Sequence, residues 1–172
     1  MAREIIYRGR KIQAGMDTAY LPDGREIRRD VVLHPGAVAI IPMVDPDHVC
    51  LLQNHRFILG ETLWEIPAGT LEPEEAPEAA AVRELAEETG YRAAAWRKLT
   101  EFFPSPGVLS ERTHLFLARG LSSGAMRPEP EENLKPQVVA WNEAVSWALS
   151  GQIRDAKTLA GILLWDRLRG EF

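Results

Sequence analysis

The chain is predicted to be an α+β protein in which a mixed β-sheet, preceded by an antiparallel β-hairpin, packs with helices. Three observations carry this. Residues 4–34, "EIIYRGRKIQAGMDTAYLPDGREIRRDVVLH", alternate apolar and polar side chains about Pro22-Asp23-Gly24, the pattern of two strand arms joined by a tight turn. The runs "GAVAIIPMV" and "HVCLLQNHRF" are rich in β-branched residues and leucine and are separated only by "DPD", which predicts a second, more deeply buried strand pair. From residue 75 to 89 the period changes, and alanine, leucine and glutamate, all good helix formers, take over.

The helix has physical boundaries: Pro77 suits its first turn and Gly90 its C-terminal stop. Strands are expected at about residues 96–103, 112–118 and 137–141, and "LSSGAMRPEPEENLKP", rich in Pro, Gly and Glu, is expected to be a loop. Two helices close the pattern. Asn142 is expected to cap "EAVSWALS", with Gly151 ending it, and Asp155 to cap "AKTLAGILLWDRLRG". Leu159, Ile162, Leu163, Trp165 and Leu168 make an apolar stripe expected to face the core.

The 172 residues, 45% hydrophobic and 26% charged, suit one domain with a substantial core, and no repeat or long linker divides them. "MAREIIYRGRKI" lacks the apolar segment of a signal peptide or membrane span, so a soluble, cytoplasmic protein is expected, with no membrane partner. The one cysteine, Cys50, sits in "HVCLL" and reads as a buried strand thiol. A net charge of -5 and a pI of 5.4 argue against a sequence-independent nucleic-acid surface. A phosphate-bearing substrate remains compatible, given arginines, backbone amides or a metal ion to offset the negative field.

Residues 65–91, "EIPAGTLEPEEAPEAAAVRELAEETGY", carry eight carboxylates. At 100° per residue Glu84, Glu87 and Glu88 share one arc of the helix, and Val82, Leu85, Ala86 and Thr89 are expected on the opposite, packing side. Arg83 precedes Glu87 at spacing i, i+4 and can orient that carboxylate. Acidic helix faces are commonly just solvated. Here, however, Glu84 and Glu88 repel each other at i, i+4, whereas a hard divalent cation such as Mg²⁺ or Mn²⁺ wants clustered carboxylate oxygens. In "PAGT" the chain turns closely past the helix, so that the Ala68 carbonyl could reach the same ion.

These residues resemble the Nudix box, a pattern of glycine, five residues, glutamate, seven residues, then Arg-Glu-apolar-x-Glu-Glu-x-Gly-apolar. It is matched by Gly69, Glu75, Arg83, Glu84, Leu85, Glu87, Glu88 and Gly90, with aromatic Tyr91 in the usual aliphatic place. At about 7% usage per residue type, seven fixed positions coincide by chance about 10⁻⁸ times per starting point. "HPGAVAIIP", "WEIPAGTLEPEE" and "PSPGVLSER", with Pro106 sixteen residues beyond Gly90, are similar to the ADP-ribose pyrophosphatase group of that family.

The resemblance implies a Nudix fold, with the mixed sheet sandwiched between helices (α/β/α). Residues 1–34 would form the hairpin region, used for dimerisation, and residues 35–172 the hydrolase domain. It implies Mg²⁺ (or Mn²⁺) ligands at Glu84, Glu87, Glu88 and the Ala68 carbonyl, with Glu87 and Glu88 also catalytic. Arg83 would orient the acidic cluster, and Glu75 would support it from the start of the helix. From the late loop "PEPEEN" Glu132 would add a ligand and Glu131 or Glu129 a base, although Pro130 interrupts the family's acidic run. Substrate contacts fall on Arg29 or Arg28, Arg56, Glu65, Ser105 and Glu111. The implied reaction is metal-dependent hydrolysis of ADP-ribose to AMP and ribose 5-phosphate by a homodimer. Hydrolysis of another nucleotide sugar such as GDP-mannose is the alternative, and a non-catalytic nucleotide-sugar sensor, which would want a basic recognition helix, comes third.

Overall fold

The computed structural model describes residues 2–128 and 133–171. The alternating N-terminal segment makes an antiparallel sheet of three strands, β1 (Ala2–Arg8), β2 (Gln13–Tyr20) and β3 (Glu26–Leu33). The expected turn joins β2 to β3, where the Gly24 N–H donates to the Leu21 carbonyl at 2.9 Å. The first arm of the expected hairpin is itself folded back, through a turn in which the Gly9 N–H donates to the Ile12 carbonyl at 2.8 Å.

The two apolar runs become β4 (Ala37–Asp45) and β5 (His48–Arg56), which are antiparallel and centrally placed. Around them the order is β10-β5-β4-β9-β8, with β8 (Tyr91–Phe102), β9 (Thr113–Ser123) and β10 (Leu134–Ala140). Short strands β6 (Glu61–Glu65) and β7 (Ala68–Thr70) pair with β5 and β4. Among the described strand pairs of this sheet only β4 and β9 run parallel, so the sheet is mixed, as expected.

Strand β4 explains the sandwich. Alternate side chains leave opposite faces of a strand, and both faces of this one are apolar. Val38 and Ile40 pack with Ala80, Ala81 and Leu85 of α1 (Pro77–Thr89). Ala39 and Ile41 join Trp141, Ala144, Ile162 and Trp165 of α2 (Trp141–Ser150) and α3 (Ala156–Leu168). Ile40 and Ile41 are fully buried, and each such aliphatic side chain contributes about 1.5–3 kcal/mol. Cys50 is buried in β5 as expected, and burial pushes its thiol pKa up to about 12. Among the described residues no helix is long and apolar enough to cross a membrane.

Some local expectations are corrected. Strands β8 and β9 are longer than expected and pair from Tyr91 opposite Ser123, so that Leu121, Ser122 and Ser123 are strand and not loop. Helix α2 starts at Trp141, behind an N-cap at Ala140 that makes no side-chain bond, which places Asn142 inside the first turn. The reason is tertiary: the buried Trp141 donates its indole N–H to Asp166 at 2.7 Å and its backbone N–H to the Asp47 carbonyl at 2.7 Å. Asp155 does cap α3, accepting from the Thr158 N–H at 2.9 Å. Leu163 leaves the apolar stripe and is exposed, and so is Val82 on α1. The buried positions of α1 are Ala80, Ala81, Glu84, Leu85, Glu88 and Thr89, so two of the acids lie on the packing side itself.

Helix α1 ends as its composition implies, with Gly90 in the left-handed region at φ 75°. A Cβ there would also stand 2.5 Å from the Gly124 carbonyl oxygen. Gly151 ends α2 at φ 80° with open space around it. Gly90→Ala is therefore expected to lose about 2 kcal/mol or more of unfolding free energy and Gly151→Ala about 1 kcal/mol. Urea denaturation of both variants checks this, and equal losses would contradict the close approach at Gly90.

Candidate active site

The site forms where β7 passes α1. Pairing of β7 with β4 fixes Ala68, Gly69 and Thr70 against the helix, so closely that a Cβ on Gly69 would overlap the Glu84 carboxylate. Only glycine leaves that carboxylate its place. One turn on, the Ala68 N–H donates to Glu88 Oε2 at 2.9 Å. Glu84 and Glu88 are 8% and 3% exposed, which is rare for ionised side chains.

Arg83 gathers the acids. Its Nε and Nη2 donate to the two Glu75 oxygens, both at 2.9 Å, and its Nη1 donates to Glu84 at 2.7 Å and Glu87 at 3.0 Å. A further bond runs from Nη2 to the Thr70 carbonyl at 3.3 Å. This fork is one that guanidinium can make and ammonium cannot. The Glu75 bonds, with those to Glu84 and Glu87, push the arginine pKa still higher, and Arg83 holds the Glu75 carboxyl below the usual carboxylate range. Glu75, Glu84 and Glu87 place three negative charges on one arginine, a net of -2, and Glu88, one helical turn beyond Glu84, adds a fourth carboxylate.

Beside this wall opens a cleft of about 990 Å³, lined among others by Ala68, Arg83, Glu84 and Glu87 and, away from α1, by Arg56, Glu111 and Lys157. Arg56 makes a bidentate pair with the buried Glu65, Nε to Oε1 at 2.8 Å and Nη2 to Oε2 at 2.6 Å. Burial works to raise the Glu65 pKa, but Arg56 and Lys157 outweigh it and hold the carboxyl below its ordinary value. Glu111 accepts from the Thr113 hydroxyl at 2.9 Å, and His34 Nδ1 lies 4.0 Å from it.

The expected site residues are thus partly assembled. Ala68, Arg83, Glu84, Glu87, Arg56 and Glu111 share the cleft, Glu88 lies beneath Ala68, and Glu65 stands behind Arg56. Arg28 and Arg29 are exposed on β3 and do not line it; the Arg29 side chain donates to the Arg28 carbonyl at 3.1 Å. Ser105 is also outside the lining, its carbonyl accepting from the Val108 and Leu109 N–H groups. Glu129, Glu131 and Glu132 lie outside the described residues. Lys157 was not anticipated. Its only local signal is "DAKT" at a helix start, and its partner Glu65 is 92 residues away.

Among the described residues no three acidic, histidine or cysteine side chains converge on one point. The acids are spread over separate donors instead, Glu84 and Glu87 on Arg83 and Glu88 on the Ala68 N–H. The donor set is nonetheless suited to a hard cation, since it is all oxygen, carries excess negative charge and leaves Gly69 without a side chain to block it.

Comparison with known proteins agrees with this geometry. Residues 33–161 match the model of the NUDIX domain. An ADP-ribose pyrophosphatase of Bacillus subtilis is 39% identical over 164 residues, 94% of this chain and 89% of that protein. A methanol dehydrogenase activator of Bacillus methanolicus is 35% identical over 92% of this chain and 87% of its own length. A solved structure described as an ADP compounds hydrolase superposes with a TM-score of 0.86 over 99% of this chain and 94% of that one, at 21% identity, which speaks to the fold. With the box glutamates on α1, Gly69 pressed against them and this likeness along nearly the whole length, the chain belongs to the Nudix hydrolase family, in its ADP-ribose pyrophosphatase-like branch.

Proposed function

We propose that the protein hydrolyses the diphosphate linkage of ADP-ribose to AMP and ribose 5-phosphate, dependent on Mg²⁺, with Mn²⁺ as the alternative ion. The observation that carries this is a single cleft lined both by the acids Glu84 and Glu87 with Arg83 and by Arg56. An acidic wall alone would repel a diphosphate, and a basic wall alone would not activate water. Glu84, Glu87, Glu88 and the Ala68 carbonyl would hold the divalent ions, with Glu132 adding a ligand. Bound there, the ions supply charge neutralisation for the diphosphate and a lowered pKa for the attacking water. Arg83 keeps Glu84 and Glu87 in place, Arg56 holds the diphosphate, and Glu131 or Glu129 takes the proton from water. Glu65 orients Arg56, and Glu111 and Ser105 stand near the terminal ribose.

Residues 35–172 are assigned to hydrolysis and residues 1–34 to dimerisation in a cytoplasmic homodimer. Ile6, Tyr7 and Tyr20 are exposed on the N-terminal sheet, an apolar surface suited to a second copy. Crossing of that sheet would also carry Arg28 and Arg29 toward the other subunit's cleft.

A panel of ADP-ribose, GDP-mannose and related nucleotide sugars, incubated with Mg²⁺ in ¹⁸O water, is expected to give AMP and ribose 5-phosphate fastest from ADP-ribose. Equal rates on GDP-mannose would remove the assigned preference. Chelator should abolish turnover, and Glu88→Gln should lower kcat roughly 100-fold or more; wild-type turnover by that variant would sink the assignment.

A pH dependence follows from Arg83. A carboxylate with a lowered folded pKa stabilises the fold fully above its unfolded value, about 4.5 for Glu75, and that stability is lost as pH falls through the lower folded value. Between about pH 7 and about pH 3 the wild type is therefore expected to lose more unfolding free energy than Arg83→Met. Equal losses in urea titrations would show that Arg83 does not hold Glu75.

A further inference from the structure

Behind Arg56 the wall of the cleft contains a four-member ion cluster. Glu65 Oε2 accepts from Arg56 Nη2 at 2.6 Å and also from Lys157 Nζ at 2.8 Å. Lys157 Nζ donates in turn to Asp155 Oδ1 at 2.8 Å. The other Asp155 oxygen is taken by the Thr158 N–H and hydroxyl, and the Thr158 oxygen accepts from the N–H of Ile66, next to Glu65. The N-terminus of α3 is thereby tied to the end of β6 through paired polar groups.

The charges in this cluster decide what Lys157 does. Arg56 and Lys157 against Glu65 and Asp155 sum to zero. Without Lys157, Arg56 would face two carboxylates, and the cluster would carry -1 beside a cleft that Glu84 and Glu87 also line. Arg56 holds Glu65 through Nε and Nη2, which leaves its Nη1 amino group for a ligand. Lys157 is well covered, its side chain 17% exposed, and its ammonium is engaged by the two acids.

We infer that Lys157 is a positioning residue for Arg56: by sharing Glu65 and balancing Asp155, it keeps the guanidinium oriented and its positive charge available to a diphosphate. The inference rests on the reading of Arg56 as the diphosphate-binding arginine. It assigns a role to the "DAKT" segment, which the reaction above does not use.

The test is calorimetric binding of inorganic pyrophosphate with Mg²⁺, at fixed ionic strength, to the full chain and its variants, with melting curves to confirm folding. Lys157→Met is expected to weaken binding about tenfold, because Asp155 and the unshared Glu65 then draw the Arg56 guanidinium and its charge away from the ligand, and Lys157→Arg to restore it. Adding Asp155→Asn to Lys157→Met returns the cluster to zero charge and keeps a capping side chain, so most of the affinity should return. In an Arg56→Met background Lys157→Met should add little. Lys157→Gln, which keeps a donor without the charge, replaces Lys157→Met should the latter not fold.

Unchanged binding by folded Lys157→Met overturns the inference, as does a loss that adds in full to that of Arg56→Met. So does a double variant with Asp155→Asn that binds no better than Lys157→Met alone, the result expected of a direct ligand contact or of a purely structural tie. If Arg56→Met binds pyrophosphate like the wild type, the reading of Arg56 falls, and the inference with it.

Discussion

Arg83 is the interaction on which the rest of the site depends. Three carboxylates meet one guanidinium, a fourth, Glu88, follows one helical turn beyond Glu84, and Glu84 and Glu88 are nearly buried. Charges out of water are costly unless each finds a partner. The arginine meets three of the acids with its planar fork and anchors itself on the Thr70 carbonyl, while the fourth acid takes the Ala68 N–H. The remaining excess of negative charge is a standing cost to the fold and, under the proposed function, the feature that would draw divalent cations to it.

That arrangement rests on a backbone packed from both sides. Strand β4 is covered on both faces, by α1 on one and by α2 and α3 on the other, and it carries β7 at its edge. Leu85 anchors α1 in the core while Glu84 and Glu88, flanking it on the same side, are pressed against β7. The stability of an apolar core thus holds like charges together. The same logic recurs around Arg56, where Ile66 anchors the strand end next to Glu65 and the start of α3 supplies Lys157.

Much of this was legible in the sequence because it is local. Pro77 and Gly90 bound the helix, β4 and β5 are continuous apolar runs, and the spacing of Gly69, Glu75, Arg83, Glu84, Glu87 and Glu88 carries the family pattern. What failed depends on which neighbour a side chain meets. Helical periodicity groups the glutamates on one arc but does not say that this arc turns toward β7, so Glu84 and Glu88 read as lying opposite the packing side and Val82 as lying on it. Trp141 starts α2 because Asp47 and Asp166 are there to receive it, and neither is near in sequence. The pairing of Lys157 with Glu65 was hidden for the same reason.

The central claim is that repulsion among buried carboxylates is held in the fold and relieved by divalent cations. It is tested most directly by the melting temperature of wild type and Glu88→Gln in chelator and in Mg²⁺. The account predicts that Glu88→Gln, which keeps an acceptor for the Ala68 N–H, melts at or above the wild type in chelator and gains little from Mg²⁺, whereas the wild type rises clearly with Mg²⁺ by mass action on the folded state. A variant that melts below the wild type in chelator and gains equally from Mg²⁺ would contradict it.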